Sequence, residues 1–137
     1  MRIEHLPSRI ALVVNGFLMA VMYPLNMLVQ EKPTWIWATP DRNLPMEHML
    51  VVVYVTLGLF LIWSSRDPLK ALPLIDFTIV SGAIHASVMA FDAWSLPQEA
   101  HHLVLRGDVM GTYLAPLTLA LTHPRRFYLI PEKAVAA

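Results

Sequence analysis

Residues 72–91, LPLIDFTIVSGAIHASVMAF, form a mostly apolar stretch that is long enough to cross a lipid bilayer as an α-helix. The stretch carries an imidazole, at His85, about two helical turns inside its boundary. An ionisable side chain at that depth in lipid is costly unless it is paired, hydrated or bound to a metal. The stretch therefore predicts both a membrane-spanning helix and a functional residue on it.

Three further stretches, residues 10–29, 46–64 and 102–122, also reach spanning length. The chain has 137 residues, is 56% hydrophobic and carries ten basic and ten acidic side chains, which is too apolar for a soluble domain of this size. We therefore expect an all-α fold, a polytopic membrane four-helix bundle that forms one domain over residues 1–137. The first stretch contains Pro24 and lacks a small-residue cleavage site, so we expect it to be an uncleaved span.

Charge and composition also bear on orientation and chemistry. The positive residues lie mainly before the first span, in the second connection and after the fourth span: Arg2, Arg9, Arg66, Lys70, Arg125, Arg126 and Lys133. Positive residues favour the cytoplasmic side, which predicts that both termini are cytoplasmic. The absence of cysteine excludes disulfides and thiol chemistry, and the balanced charge gives no basic field for nucleic acid.

The sequence Ser65-Arg66-Asp67-Pro68 predicts a sharp end to the second helix, because proline disfavours helical geometry in the residue before it. The third helix follows after a few residues, so the second and third helices are predicted to be antiparallel neighbours. Asp76 is expected to pair with Arg66 or Lys70. Small and amide side chains are predicted to mediate close packing or hydrogen bonds between helices: Gly58, Gly82, Gly107, Gly111, Asn15 and Asn26.

Polar residues on three helices are predicted to lie at similar depth in the outer half of the bundle. On the third helix, His85, Met89 and Asp92 share one face through i, i+4 and i+7 spacing. The matching stripes are Glu47, Val51, Tyr54 and Gly58 on the second helix, and His101, Leu105, Asp108 and Thr112 on the fourth. Helical bundles assemble metal and cofactor sites from such facing side chains.

The predicted metal ligands are Glu47, His85, His102 and Asp108, and the secondary candidates are His48, Tyr54, Asp92, His101 and Arg106. Nitrogen and oxygen donors suit a transition metal ion such as copper, iron or zinc. Haem ranks below these because paired deep histidines are absent, and dedicated spacings such as HExxH are absent too. Met89 is assigned to packing rather than to copper ligation. The alternative is a hydrogen-bonded polar network or aqueous cavity without a metal.

Several short motifs carry a family resemblance: Met46-Glu47-His48-Met49, residues 54–58, residues 65–68, Ile84-His85-Ala86, His102-Leu103 and Gly107-Asp108. Together they resemble a group of small four-span bacterial membrane proteins of unknown function. The resemblance covers most of helices two to four. It implies a multi-pass protein of the bacterial inner membrane and draws attention to Glu47, His85, His102 and Asp108, but it implies no activity.

Three functions are compatible with these features. The first is a membrane protein that binds a metal or another small ligand at the outer polar site. The second is an accessory or assembly subunit of a larger membrane complex, with no chemistry of its own. The third is a proton-coupled small transporter, which would need a homo-oligomer because four helices enclose little space. The expected partners are the lipid bilayer and other membrane subunits or further copies of the chain, and the sequence identifies no reaction.

Overall fold

A computed structural model describes residues 5–28, 44–95 and 108–125. These residues form four α-helices and no strand: α1 (Leu6–Leu28), α2 (Leu44–Ser64), α3 (Leu72–Ser95) and α4 (Asp108–Leu121). The predicted all-α fold with four helices is confirmed. Among the described helices, α3 alone is long and apolar enough to cross a membrane, and the apolar stretches of the others are shorter: Leu6–Val21, His48–Ser64 and Val109–Leu121.

Three of the four helices begin with a Leu-Pro pair: Leu6-Pro7, Leu44-Pro45 and Leu72-Pro73. Proline suits the first turn of a helix because the N–H that it lacks would have no partner there. The helices α1 and α2 therefore begin four and two residues before the spans predicted from hydropathy. At its other end, α3 runs four residues beyond the predicted span, so Asp92 lies within the helix rather than ending it. Residues 102–107 of the fourth predicted span lie outside the described residues.

The helices run antiparallel to their neighbours in two closely packed hairpins, α1 with α2 and α3 with α4, and a smaller contact joins α1 to α4. The turn between α2 and α3 is as short as predicted, and α2 ends at Ser64. Among the described residues, however, the backbones of α2 and α3 approach each other less closely than those within the two hairpins. A short turn fixes only the ends of two helices, and side-chain size decides how closely their middles approach.

Two glycines explain the close packing of α1 on α2. A Cβ atom added to Gly16 would lie 2.6 Å from the carbonyl oxygen of Gly58, and one added to Gly58 would lie 2.5 Å from the carbonyl oxygen of Gly16. The predicted packing role of Gly58 is confirmed, whereas a Cβ atom added to Gly82 would lie 3.4 Å from Pro116, an ordinary contact distance. The prediction for Gly111 is wrong, because a Cβ atom there would meet no described atom within 4 Å.

One buried layer draws a side chain from each helix: Leu12, Leu61, Ile75 and Leu119, each no more than 2% exposed. The layer lies next to the polar end of the molecule, which we define as residues 5–9, 65–71 and 122–125 together with Asp76. Elsewhere, large apolar side chains point outward on all four described helices, for example Phe17, Phe60, Phe91 and Leu114. The described helices therefore share a small core and present a largely apolar surface.

Candidate functional site

The structure describes the side chains of four of the nine predicted site residues, namely His48, Tyr54, His85 and Asp92. Glu47 and Asp108 belong to α2 and α4, but their side chains lie outside the described part of the chain, as do residues 101, 102 and 106 altogether. Among the described residues, no group of three or more His, Asp or Glu side chains is placed to hold a metal. Only His85 of the four predicted ligands has a described side chain, so the ligand set stays a prediction.

His85 lies at the centre of α3 and contacts Tyr54 of α2. Their ring centroids are 6.2 Å apart in an edge arrangement with an interplanar angle of 61°. Both side chains are half-buried. Within the described ranges, neither ring nitrogen of His85 has a hydrogen-bond partner, and the Tyr54 ring is the aromatic contact of the imidazole there.

The polar stripes of α3 and α4 meet one helical turn beyond His85. The hydroxyl of Thr112 donates a hydrogen bond to the sulfur of Met89, with 3.5 Å between Oγ1 and Sδ. On the adjoining surface, the Ser87 and Tyr113 hydroxyls lie 2.8 Å apart. The first of these contacts brings together residues that the sequence assigned to separate stripes, Met89 and Thr112.

Two other predicted residues lie farther from His85. Asp92 is seven residues along α3, which places it roughly 10 Å away along the helix axis. His48 is six residues before Tyr54 on α2, which separates these two by about 9 Å along the axis, and its side chain is exposed. The described centre of the site therefore consists of Tyr54 and His85, with Met89 and Thr112 beside them.

A second polar cluster, at the polar end, was not predicted. The carboxylate of Asp76 lies 3.0 Å from Nε2 of His123 and 3.4 Å from a guanidinium nitrogen of Arg125. The predicted pairing of Asp76 with Arg66 or Lys70 is wrong, and Lys70 instead pairs with Asp67 at 3.0 Å. The true partners lie 47 or more residues away along the chain, and only the antiparallel register of α3 and α4 brings them to Asp76.

The hydrogen bonds of His123 define its tautomer. The backbone N–H of Arg125 donates to Nδ1 at 3.2 Å, so Nδ1 is an acceptor and Nε2 carries the proton that is donated to Asp76. Both nitrogens are therefore engaged, and the imidazole is buried. A histidine held in this way joins α3 to the segment after α4. Both of its ring nitrogens are hydrogen-bonded within the protein, so neither is free to bind a metal or substrate.

The start of α1 caps the ends of two other helices. The Ser8 hydroxyl donates to the carbonyl oxygen of Thr122, just after α4. Arg9 donates to the carbonyl oxygens of Ser65 and Arg66, just after α2, at 2.7 and 3.1 Å. Carbonyls at a helix C-terminus have no partner within their own helix, so these bonds satisfy groups that would otherwise need water.

An amide also joins the two hairpins. Asn15 donates to the hydroxyl of Thr118 at 3.0 Å and to the carbonyl oxygen of Ala11 at 2.8 Å. The predicted interhelical role of Asn15 is confirmed, whereas the side chain of Asn26 lies outside the described residues. The contact fixes how α4 sits on α1.

Comparison with known proteins gives one match. A family model described as "Family of unknown function (DUF6632)" matches residues 5–125, which include the four helices, the His85 site and the polar end. No curated protein and no solved structure matches the chain. The chain belongs to the family of unknown function DUF6632.

Proposed function

We propose that the chain is a multi-pass protein of the bacterial inner membrane that binds a small ligand at His85, between α2, α3 and α4. The observation that carries this proposal is the half-buried imidazole at the centre of α3, whose ring nitrogens have no hydrogen-bond partner among the described residues. An ionisable group inside a membrane is expensive to keep without a partner. A ligand that forms a hydrogen bond with a nitrogen of His85, or is coordinated by it, would remove that cost.

The apolar surface supports the membrane location. Phe17, Phe91 and Leu114 are 57%, 67% and 58% exposed, and they belong to three different helices. On α2, apolar residues face outward along its length, for example Val52 and Phe60. Exposed apolar area on every described helix is unusual for a soluble monomer and is expected where the surroundings are lipid.

The distribution of charge supports the orientation. Four cations, Arg9, Arg66, Lys70 and Arg125, lie at the polar end, against two carboxylates among the described residues of that end. Basic residues flanking spans favour the cytoplasmic face. We therefore assign the polar end to the cytoplasm and the opposite end of α3 to the outer face.

This topology is testable with single cysteines, since the chain has none of its own. Lys70→Cys and Ser95→Cys place exposed thiols before and at the end of α3, and Ile84→Cys places one on its outward middle. In spheroplasts, a membrane-impermeant maleimide should label Ser95→Cys at once, and Lys70→Cys only after permeabilisation. Ile84→Cys should stay unlabelled until the protein is denatured, because lipid excludes the reagent. Equal labelling of all three in spheroplasts would contradict a membrane-spanning α3.

A transition metal ion is the ligand class that the sequence predicted, with Glu47, His102 and Asp108 as further donors. We expect protein extracted gently from native membranes to contain a bound metal or small molecule, measured by elemental analysis, optical absorption and native mass spectrometry. The variant His85→Ala should lose it, because the central donor is gone. The matched control is Asp67→Asn, which removes a carboxylate from the exposed turn and should leave the bound species in place.

Two outcomes would reject this site. An unchanged amount of ligand in His85→Ala would show that His85 does not hold it. A wild-type protein with no bound species would favour the accessory-subunit function, in which the apolar faces pack against helices of other subunits, and co-purifying chains would then identify them. The transporter function gains no support from Asp76, a carboxylate near the inner end of α3, because that side chain is engaged by His123 and Arg125.

A further inference from the structure

Met89 stands one helical turn beyond His85 on the same face of α3. Side chains at i and i+4 have Cβ atoms about 5–6 Å apart, so an imidazole nitrogen and a thioether sulfur at these positions can reach one ion. The hydrogen bond from Thr112 holds the sulfur at the boundary of α3 and α4 and occupies one of its two lone pairs. The other lone pair remains available to a metal.

The charge of the donors restricts the metal. A neutral imidazole and a thioether bring no negative charge, so these two donors leave the whole charge of a bound ion uncompensated. The cost of burying a charge rises with its square, and a divalent ion would therefore be much more expensive here than a monovalent one. Thioether sulfur is also a soft donor that favours Cu(I) over zinc or iron.

We propose that the ligand at His85 is Cu(I), bound by the imidazole of His85 and the thioether of Met89. Tyr54 contacts the imidazole ring in an edge arrangement. Thr112 positions the sulfur from the neighbouring helix. This inference rests on the proposed function, and it replaces the initial assignment of Met89 to packing.

The test is an anaerobic titration of the purified full chain in detergent, in which a coloured Cu(I) chelator competes for the ion. His85→Ala should abolish binding. Met89→Leu should weaken it by more than the roughly 10- to 100-fold that loss of an outer partner costs. Thr112→Val, which removes the hydrogen bond to sulfur, should weaken it by about tenfold. The matched control is Met110→Leu, because Met110 is a methionine on α4 that is 71% exposed. The Cu(I) affinity of this variant should equal that of the wild type.

A second measurement reports the ligand directly. X-ray absorption at the copper edge should show a sulfur neighbour in the wild type and in Met110→Leu, but none in Met89→Leu. Circular dichroism of each variant should match the wild type. If Met89→Leu does not, the isosteric Met89→norleucine protein, which keeps the packing and lacks the sulfur, replaces it.

The outcomes separate this inference from the proposed function. If His85→Ala loses the metal but Met89→Leu binds Cu(I) as tightly as the wild type, the His85 site stands and the His–Met copper site is wrong. Tighter binding of Zn(II) than of Cu(I), lost in Asp108→Asn, would also overturn the copper assignment and would support the predicted nitrogen and oxygen ligands. If neither His85→Ala nor Met89→Leu changes Cu(I) binding, both proposals fail at this position.

Discussion

Replacing Gly58 by alanine is expected to separate α1 from α2 and to destabilise the fold by roughly 1–3 kcal/mol. The added methyl group would meet the carbonyl oxygen of Gly16 at 2.5 Å and the backbone nitrogen of Ala20 at 2.8 Å. Both are backbone atoms, which cannot rotate away as a flexible side chain can. The two helices would have to move apart along the whole interface, which loses contacts on either side of the glycine pair.

Gly111→Ala is the matched control for this prediction. It makes the same chemical change in another helix, at a position where a Cβ atom meets no described atom within 4 Å. Alanine is better than glycine in a helix interior by about 1 kcal/mol, so this variant should be as stable as the wild type or more stable. Thermal unfolding of the detergent-solubilised protein, followed by circular dichroism, compares the two. Equal midpoints for Gly58→Ala and the wild type would contradict the close contact of α1 and α2.

Replacing Asp76 by alanine is expected to have the second largest effect, a loss of about 1–3 kcal/mol. The change leaves Nε2–H of His123 without its acceptor, and the side chain of His123 is only 11% exposed. A buried donor without a partner pays its full desolvation cost. The ion pair with Arg125 is lost as well, but that side chain is 62% exposed and its contribution is small.

Asp67→Ala provides the comparison, because it removes a charged contact with the same nitrogen–oxygen distance. Asp67 pairs with Lys70 at the same 3.0 Å, but the Lys70 side chain is 86% exposed. The hydrogen bond from Lys70 lowers the pKa of the Asp67 carboxyl, yet solvent screens an ion pair on an exposed turn, and we expect little change in the unfolding midpoint. Unfolding by heat at pH 7 compares the two variants. If Asp67→Ala destabilised the protein as much as Asp76→Ala, distance rather than burial would decide the strength of these pairs.

Local signals in the sequence predicted most of the secondary structure. Hydropathy located the four helices, and the proline at position 68 predicted the end of α2. The Leu-Pro pairs at the starts of α1, α2 and α3 were available too, and they would have corrected two helix boundaries. These features depend on neighbouring residues alone, which is why they can be read without the fold.

Pairing between helices depends on residues far apart in the chain, and there the sequence was less informative. Gly58 was predicted to pack closely, but its partner Gly16 was not identified. Asp76 was assigned to the nearest cations, whereas the register of α3 and α4 gives it His123. At the candidate site, helical spacing correctly grouped His85 with Met89. The contact of Met89 with Thr112 was not predicted, because it depends on how α3 and α4 are rotated about their own axes.

The caps at the start of α1 have a consequence for the order of assembly. Ser8 contacts a residue 114 positions later, and Arg9 contacts one 56 positions later. During synthesis, the first turn of α1 is made early, before its partners exist. Arg9 can form its hydrogen bonds only after the end of α2 is made, and Ser8 only after the end of α4 is made. The polar end is therefore completed only after α4 is made, whereas the bonds from Arg9 to the carbonyls after α2 can form as soon as α2 is in place.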